Sequence, residues 1–247
     1  VVLEIKTGRV LAMASYPTYE PEIWQRGLTV KQAEDLFSEV KGVPALSRPL
    51  QGLFAPASTF KSISVVAAAN AGYSLDATYN CPASVEIGTR TFNNFDSVAA
   101  GRLKLDVGLA ISCDSLWYQI AYDEWVRDGG LKPKSSANDY FFNAAKAFGV
   151  GKATGIDLPS ELSGRLPNRD WKQNWYEQNK DFYCNYKDRA KKQDLTKYLI
   201  EIARENCIDG NKVRAGDAVN FSIGQGDTLV TPLRLAQIYA AIANNGA

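Results

Sequence analysis

Residues 63–69, Ile-Ser-Val-Val-Ala-Ala-Ala, are apolar on nearly every face of a helix, so the fold must bury the segment they form. The run extends from Ser58 to Asn70 and stops at Ala71-Gly72, where glycine can supply the left-handed residue that closes a helix. Its first turn reads Ser58-Thr59-Phe60-Lys61. A lysine at the head of a buried helix needs a role, because an unpaired interior ammonium is costly. Residues three apart share a helix face, so Ser58 Oγ and Lys61 Nζ can meet within hydrogen-bond reach.

The chain contains no histidine. A nucleophilic serine here must take its base from lysine, carboxylate or tyrosine. A second polar cluster, Ser112-Cys113-Asp114, falls at a break between helical runs at Leu105–Ala110 and Leu116–Ala121. Helix capping accounts for that spacing as well as catalysis does. Gln225, between two glycines, reads equally as a turn residue or as a ligand contact.

Elsewhere the pattern predicts a hairpin from Val1–Ile5 and Val10–Tyr16, turning at Lys6-Thr7-Gly8-Arg9. Helices are expected over Thr29–Phe37, with Thr29 as cap, over Tyr140–Phe148, and from Pro232 to about Asn245. Arg48–Ala57 reads as loop, and Phe221–Gly226 as a strand or turn. Asp170–Arg214 turns charged and aromatic, and is expected to be a surface insertion with a helical core at Leu195–Asn206. One clear strand pair among many helices suits a single α+β domain over residues 1–247 whose sheet is incomplete in this chain.

Composition excludes several function classes. A net charge of +1 without a basic stripe argues against nucleic acid. No apolar run approaches the ~18 residues of a membrane span. The four cysteines have no C-x-x-C spacing and no histidine to join them, so neither a structural zinc nor any other cofactor is called for. Cys184 and Cys207 bracket one polar segment and can pair in an oxidising compartment, while Cys113 reads as a small buried side chain. The sequence lacks an initiator Met and reads as part of a longer product, with room for a signal or anchor upstream.

Arg48-Pro49-Leu50-Gln51-Gly52-Leu53-Phe54-Ala55-Pro56-Ala57-Ser58-Thr59-Phe60-Lys61 resembles the active-site segment of class B penicillin-binding proteins. Leu3–Pro17 is similar to their first hairpin, and Gly155–Glu161 and Gly216–Gly226 to two further landmarks, all in the family's order. The Ser-x-Asp form of the second motif resembles the elongation-type subgroup, penicillin-binding protein 2. Ala57 stands where the family commonly has glycine. The family's third motif, K-T-G, should follow the serine. Lys6-Thr7-Gly8 precedes it and reads as a hairpin turn, so the chain is expected to lack the family's C-terminal part.

The resemblance implies a penicillin-binding, serine β-lactamase-like fold and a D,D-transpeptidase. Ser58 would be the nucleophile, Lys61 the base, Ser112 a proton relay, Asp114 a holder of Lys61 or substrate, and Gln225 a substrate contact. It also implies peptidoglycan stem peptides ending in D-Ala-D-Ala as substrate and β-lactams as covalent inhibitors. An extracytoplasmic site, a plasma-membrane anchor and a membrane glycosyltransferase partner complete the expectation. A class A β-lactamase is the first rival, but Glu161-Leu162-Ser163-Gly164-Arg165 does not match its E-x-x-L-N loop. A penicillin sensor and a catalytically impaired scaffold are the others.

Overall fold

A computed structural model describes residues 1–192 and 195–246. Gln193 and Asp194, within the expected insertion, and Ala247 lie outside the described residues. In chain order, the first part holds strands β1 (Val2–Leu3) and β2 (Val10–Ala12) and helices α1 (Val30–Phe37), α2 (Arg48–Gln51) and α3 (Lys61–Asn70). Strands β3 (Tyr79–Cys81), β4 (Ser84–Ile87), β5 (Arg90–Asn93) and β6 (Gly101–Leu103) follow. The remainder is helical: α4 (Leu105–Ala110), α5 (Asp114–Arg127), α6 (Tyr140–Ala147), α7 (Arg169–Cys184), α8 (Tyr186–Lys192), α9 (Lys197–Asp209), α10 (Ala215–Ser222) and α11 (Pro232–Ala243). The strands pair antiparallel as β1–β2, β3–β6 and β4–β5, an α+β arrangement.

The contacts divide the chain into two compact units. The first comprises Val1–Pro56, Ala147–Arg165 and Leu229–Ala247. Its hairpin turns at Gly8, whose φ of 71° lies in the left-handed region and whose N–H donates to Glu4 O at 2.8 Å. Lys6-Thr7-Gly8 is therefore a turn. Thr29 caps α1, its hydroxyl accepting from Gln32 N at 3.2 Å, and Thr231 caps α11 by accepting from Arg234 N at 3.1 Å. Phe54 and Val230 exchange backbone hydrogen bonds of 3.0 and 2.9 Å.

The second unit comprises Ala57–Lys146 and Leu166–Thr228. Its core gathers Phe60, Trp117 and Phe221, all 2% exposed or less, with Phe60 and Phe142 rings packed on Phe221 at 5.0 and 4.6 Å. Two disulfides cross it, Cys81–Cys113 and Cys184–Cys207.

Several expectations change. Arg48–Ala57 is not all loop, because Pro49 starts the short helix α2, with Pro suited to a first helical turn. The buried helix begins at Lys61, behind a 3-10 turn over Ala57–Phe60, and it is not enclosed all round, since Val66 is 37% exposed. The helix after the second motif begins at Asp114 rather than Leu116. Phe221 and Ser222 end helix α10; Asp217 Oδ2 accepts from Arg214 N at 3.0 Å and fixes the start of that helix. The 170–214 stretch holds α7, α8 and α9, with Tyr176 OH donating to Cys207 O at 2.9 Å beside the Cys184–Cys207 bridge. Cys113 is not a free thiol but half of a disulfide with Cys81.

Candidate active site

Everything the sequence nominated lies in the second unit. The 3-10 turn ahead of α3 presents Ser58 to solvent, and Lys61 opens α3 with no exposed surface at all. Ala57 reaches this turn with φ at 48°, a left-handed conformation that glycine adopts without strain. Its N–H donates to Gly224 O at 2.9 Å, tying the serine turn to the bend after α10.

Ser112 sits between α4 and α5 with φ at 58°, and this places both its polar oxygens on the lysine. Lys61 Nζ lies 2.8 Å from Ser112 Oγ, 2.9 Å from Ser112 O and 3.2 Å from Ser58 Oγ. Lys61 also pairs with the buried Asp114 carboxylate. Ser112 Oγ donates to Ser58 Oγ at 2.9 Å. Three of the other four nominated side chains, Ser58, Ser112 and Asp114, thus converge on the Lys61 ammonium.

Burial pushes the Lys61 pKa below the usual lysine value, and the Asp114 carboxylate, by hydrogen bond and charge, partly offsets that. The same carboxylate, after burial, helps push Tyr118 up to about 12. Trp117 and Tyr118 are core residues of α5.

Gln225 joins the group more loosely. It is exposed on the bend after α10 and lines, with Ser58, Ser112, Asn94, Phe95 and Ile111, an open cavity of about 350 Å³. Two contributors escaped the sequence reading. Gly224 backs the serine turn, since a Cβ there would lie 2.4 Å from Phe60 Cβ and 2.6 Å from Ala57 O. Asn94, 6% exposed, holds the start of α5 through Ser115 N at 2.8 Å. Gly224 falls within the Gly216–Gly226 landmark but was not singled out there, and Asn94 carries no motif.

The family model for the penicillin-binding protein transpeptidase domain matches residues 1–247. Peptidoglycan D,D-transpeptidase MrdA of Escherichia coli K12 is 28% identical over 253 residues, covering 100% of this chain and 32% of the relative. Peptidoglycan D,D-transpeptidase PbpA of Mycolicibacterium smegmatis is 26% identical, covering 100% and 40%. The chain spans about a third of the length of the MrdA relatives it matches. Among solved structures, Pseudomonas aeruginosa PBP2 in complex with WCK 5153 superposes with a TM-score of 0.74 at 24% identity, covering 99% of this chain and 46% of that one. A peptidoglycan synthase complex that coordinates polymerization and crosslinking contains a chain at TM-score 0.68 and 27% identity, covering 98% and 34%. A fold, a serine–lysine–serine–aspartate cluster and a match along the whole sequence agree, and the chain belongs to the penicillin-binding protein transpeptidase domain family.

Proposed function

We propose that the protein containing this chain is a serine D,D-transpeptidase that cross-links peptidoglycan stem peptides through an acyl-enzyme on Ser58. The observation that carries this reading is the contact of one buried amine with two hydroxyls, Ser58 Oγ at 3.2 Å and Ser112 Oγ at 2.8 Å. Ser58 Oγ attacks the penultimate D-Ala carbonyl of a donor peptide as neutral Lys61 takes its proton. The Ser58 N–H, in the 3-10 turn ahead of α3, serves in this reading as one donor to the developing oxyanion. Ser112 passes a proton to the departing D-alanine nitrogen, and the acyl group then moves to an amine of a neighbouring peptide. Asp114 holds Lys61 in place, and Gln225 is a substrate contact at the cavity rim.

Homology supports the substrate class, since the relatives carry the name peptidoglycan D,D-transpeptidase. Two disulfides suit an oxidising, extracytoplasmic location. No helix among the described residues is long and apolar enough to cross a membrane; we place the membrane anchor elsewhere in the longer protein. A membrane glycosyltransferase is the proposed partner. PBP2 of Helicobacter pylori has been solved in complex with MreC, which makes an MreC-like protein a second candidate.

The test uses the full-length protein, a stem pentapeptide ending in D-Ala-D-Ala and an acceptor amine. One free D-alanine should appear per cross-link formed, and neither should appear with Ser58→Ala. Cross-linking that survives Ser58→Ala contradicts the assignment.

Two further results are expected. Asp114 raises the Lys61 pKa against burial, so removing its charge should lower that pKa further. Acylation, which needs neutral Lys61, should then rise with pH along a limb lying at lower pH in Asp114→Asn than in the parent. Rate profiles with a fluorescent penicillin read this directly, and a limb that stays put or moves up contradicts it. Secondly, β-lactam hydrolysis should be slow. Glu161 accepts from the Thr154 and Gly155 N–H groups at 2.7 and 3.3 Å, and the residues after it do not match the E-x-x-L-N loop of a deacylating enzyme. Labelled penicillin released within seconds would favour a β-lactamase.

A further inference from the structure

Cys113 is the residue between Ser112 and Asp114, and its side chain is bonded to Cys81 at the end of β3. Both cysteines are buried, at 3% and 1% exposed. β3 is itself held by β6, with Cys81 opposite Gly101, so the bridge fixes the second motif to a strand pair.

A second hold comes from Asn94, on the loop that follows β5. Its Nδ2 donates to Pro82 O and Val98 O at 2.8 and 2.9 Å, which orients the amide. Its Oδ1 then accepts from Ser115 N at 2.8 Å. That N–H is one of the orphan donors in the first turn of α5, and Cys113, at the cap position, has no side-chain oxygen to offer it. Asn94 is a cap supplied from outside the helix. Ser115 Oγ donates to Pro82 O at 2.7 Å, closing the network on the residue next to Cys81.

What these holds enclose is Ser112, at φ 58°. A left-handed serine is strained and persists only where its surroundings over-determine it. In that conformation one residue offers both hydroxyl and carbonyl oxygen to Lys61 Nζ, at 2.8 and 2.9 Å. Relaxing the backbone to an ordinary φ would turn at least one of them away.

We infer that the Cys81–Cys113 disulfide and Asn94 are positioning residues for acyl transfer, holding Ser112 in the left-handed conformation that lets it engage Lys61. The inference rests on the reading that Ser58 is the acylated residue. It makes the rate of acylation, and not stability alone, depend on a bond and an amide that act through the backbone of Ser112.

The experiment labels the full-length protein with a fluorescent penicillin and separates two quantities. The endpoint counts competent molecules, and the single-exponential rate constant at fixed penicillin reports the geometry within each of them. A purely structural bridge would lower the first and leave the second. The variants are Cys81→Ser/Cys113→Ser and, independently, Asn94→Ala; Cys184→Ser/Cys207→Ser serves as the control for losing a disulfide elsewhere. The rate constant per competent molecule should fall about tenfold or more in the first two, as expected when a catalytic group is misplaced by a fraction of an ångström. It should stay at the parental value in the control. Parental rate constants in Asn94→Ala, or in the Cys81/Cys113 variant where it labels, overturn the inference. If that variant yields no labelled molecules, Asn94→Ala decides alone by the same criterion. A parent that is not labelled, or is labelled away from Ser58, defeats the underlying reading instead.

Discussion

Alanine in place of Lys61 should slow acylation of Ser58 by roughly 10²–10⁴-fold, the range for removing a positioned base. No histidine exists to substitute. Asp114 cannot do so through Lys61 once the amine is gone, and Ser112 is itself held by that amine at 2.8 and 2.9 Å. The change also leaves the Asp114 carboxylate buried without its cation. Breaking a buried pair in this way costs about 3–5 kcal/mol. Loss of rate and loss of fold must therefore be read apart, by acylation kinetics against labelling endpoint and by urea titration of the same sample. Lys61→Arg gives the complementary result. Its guanidinium keeps the charge but cannot be deprotonated, so the pair survives while base catalysis is lost. Acylation at the parental rate in either variant would remove Lys61 from the mechanism.

The second large effect is expected at Gly224, a residue with no chemistry. Its φ is 68°, where a side chain costs about 1–2 kcal/mol. A Cβ there would meet Phe60 Cβ at 2.4 Å and Ala57 O at 2.6 Å, neither of which is the far end of a flexible side chain. Forcing a methyl into such a packed site adds about 1–3 kcal/mol. Gly224→Ala should thus lose roughly 2–5 kcal/mol in a urea titration. It should also acylate slowly among molecules that remain folded, because the strain falls on the turn carrying Ser58. A variant as stable as the parent would show that the bend can move away from the serine turn.

Ser58 and Lys61 were legible because the spacing of a helix face is local, and even a 3-10 turn at Ser58 leaves the two side chains 3.2 Å apart. Ser112 and Asp114 were legible only as a pair of polar residues at a helix break; their approach to Lys61 is long-range and no spacing encodes it. The sequence offered Cys184 and Cys207 as a pair without deciding it, since two cysteines that flank one segment need not bridge. Cys81–Cys113 was not offered at all, since the fold brings a strand end to a helix cap and neither position announces it. The strand pairs β3–β6 and β4–β5 were missed because each strand is three or four residues long, too short for alternation to emerge. Phe221–Gly226 read as a strand or turn; the fixed start at Arg214 and Asp217 carries the helix through Ser222, and the chain then turns at Gly224.

The claim at the centre is that Ser58 is the residue acylated. Intact-protein mass after incubation of the full-length protein with a penicillin, followed by peptide mapping, measures it directly. One adduct of the penicillin's mass should form, map to Ser58 and vanish in Ser58→Ala. An adduct on another residue, or one that persists in Ser58→Ala, would contradict the account.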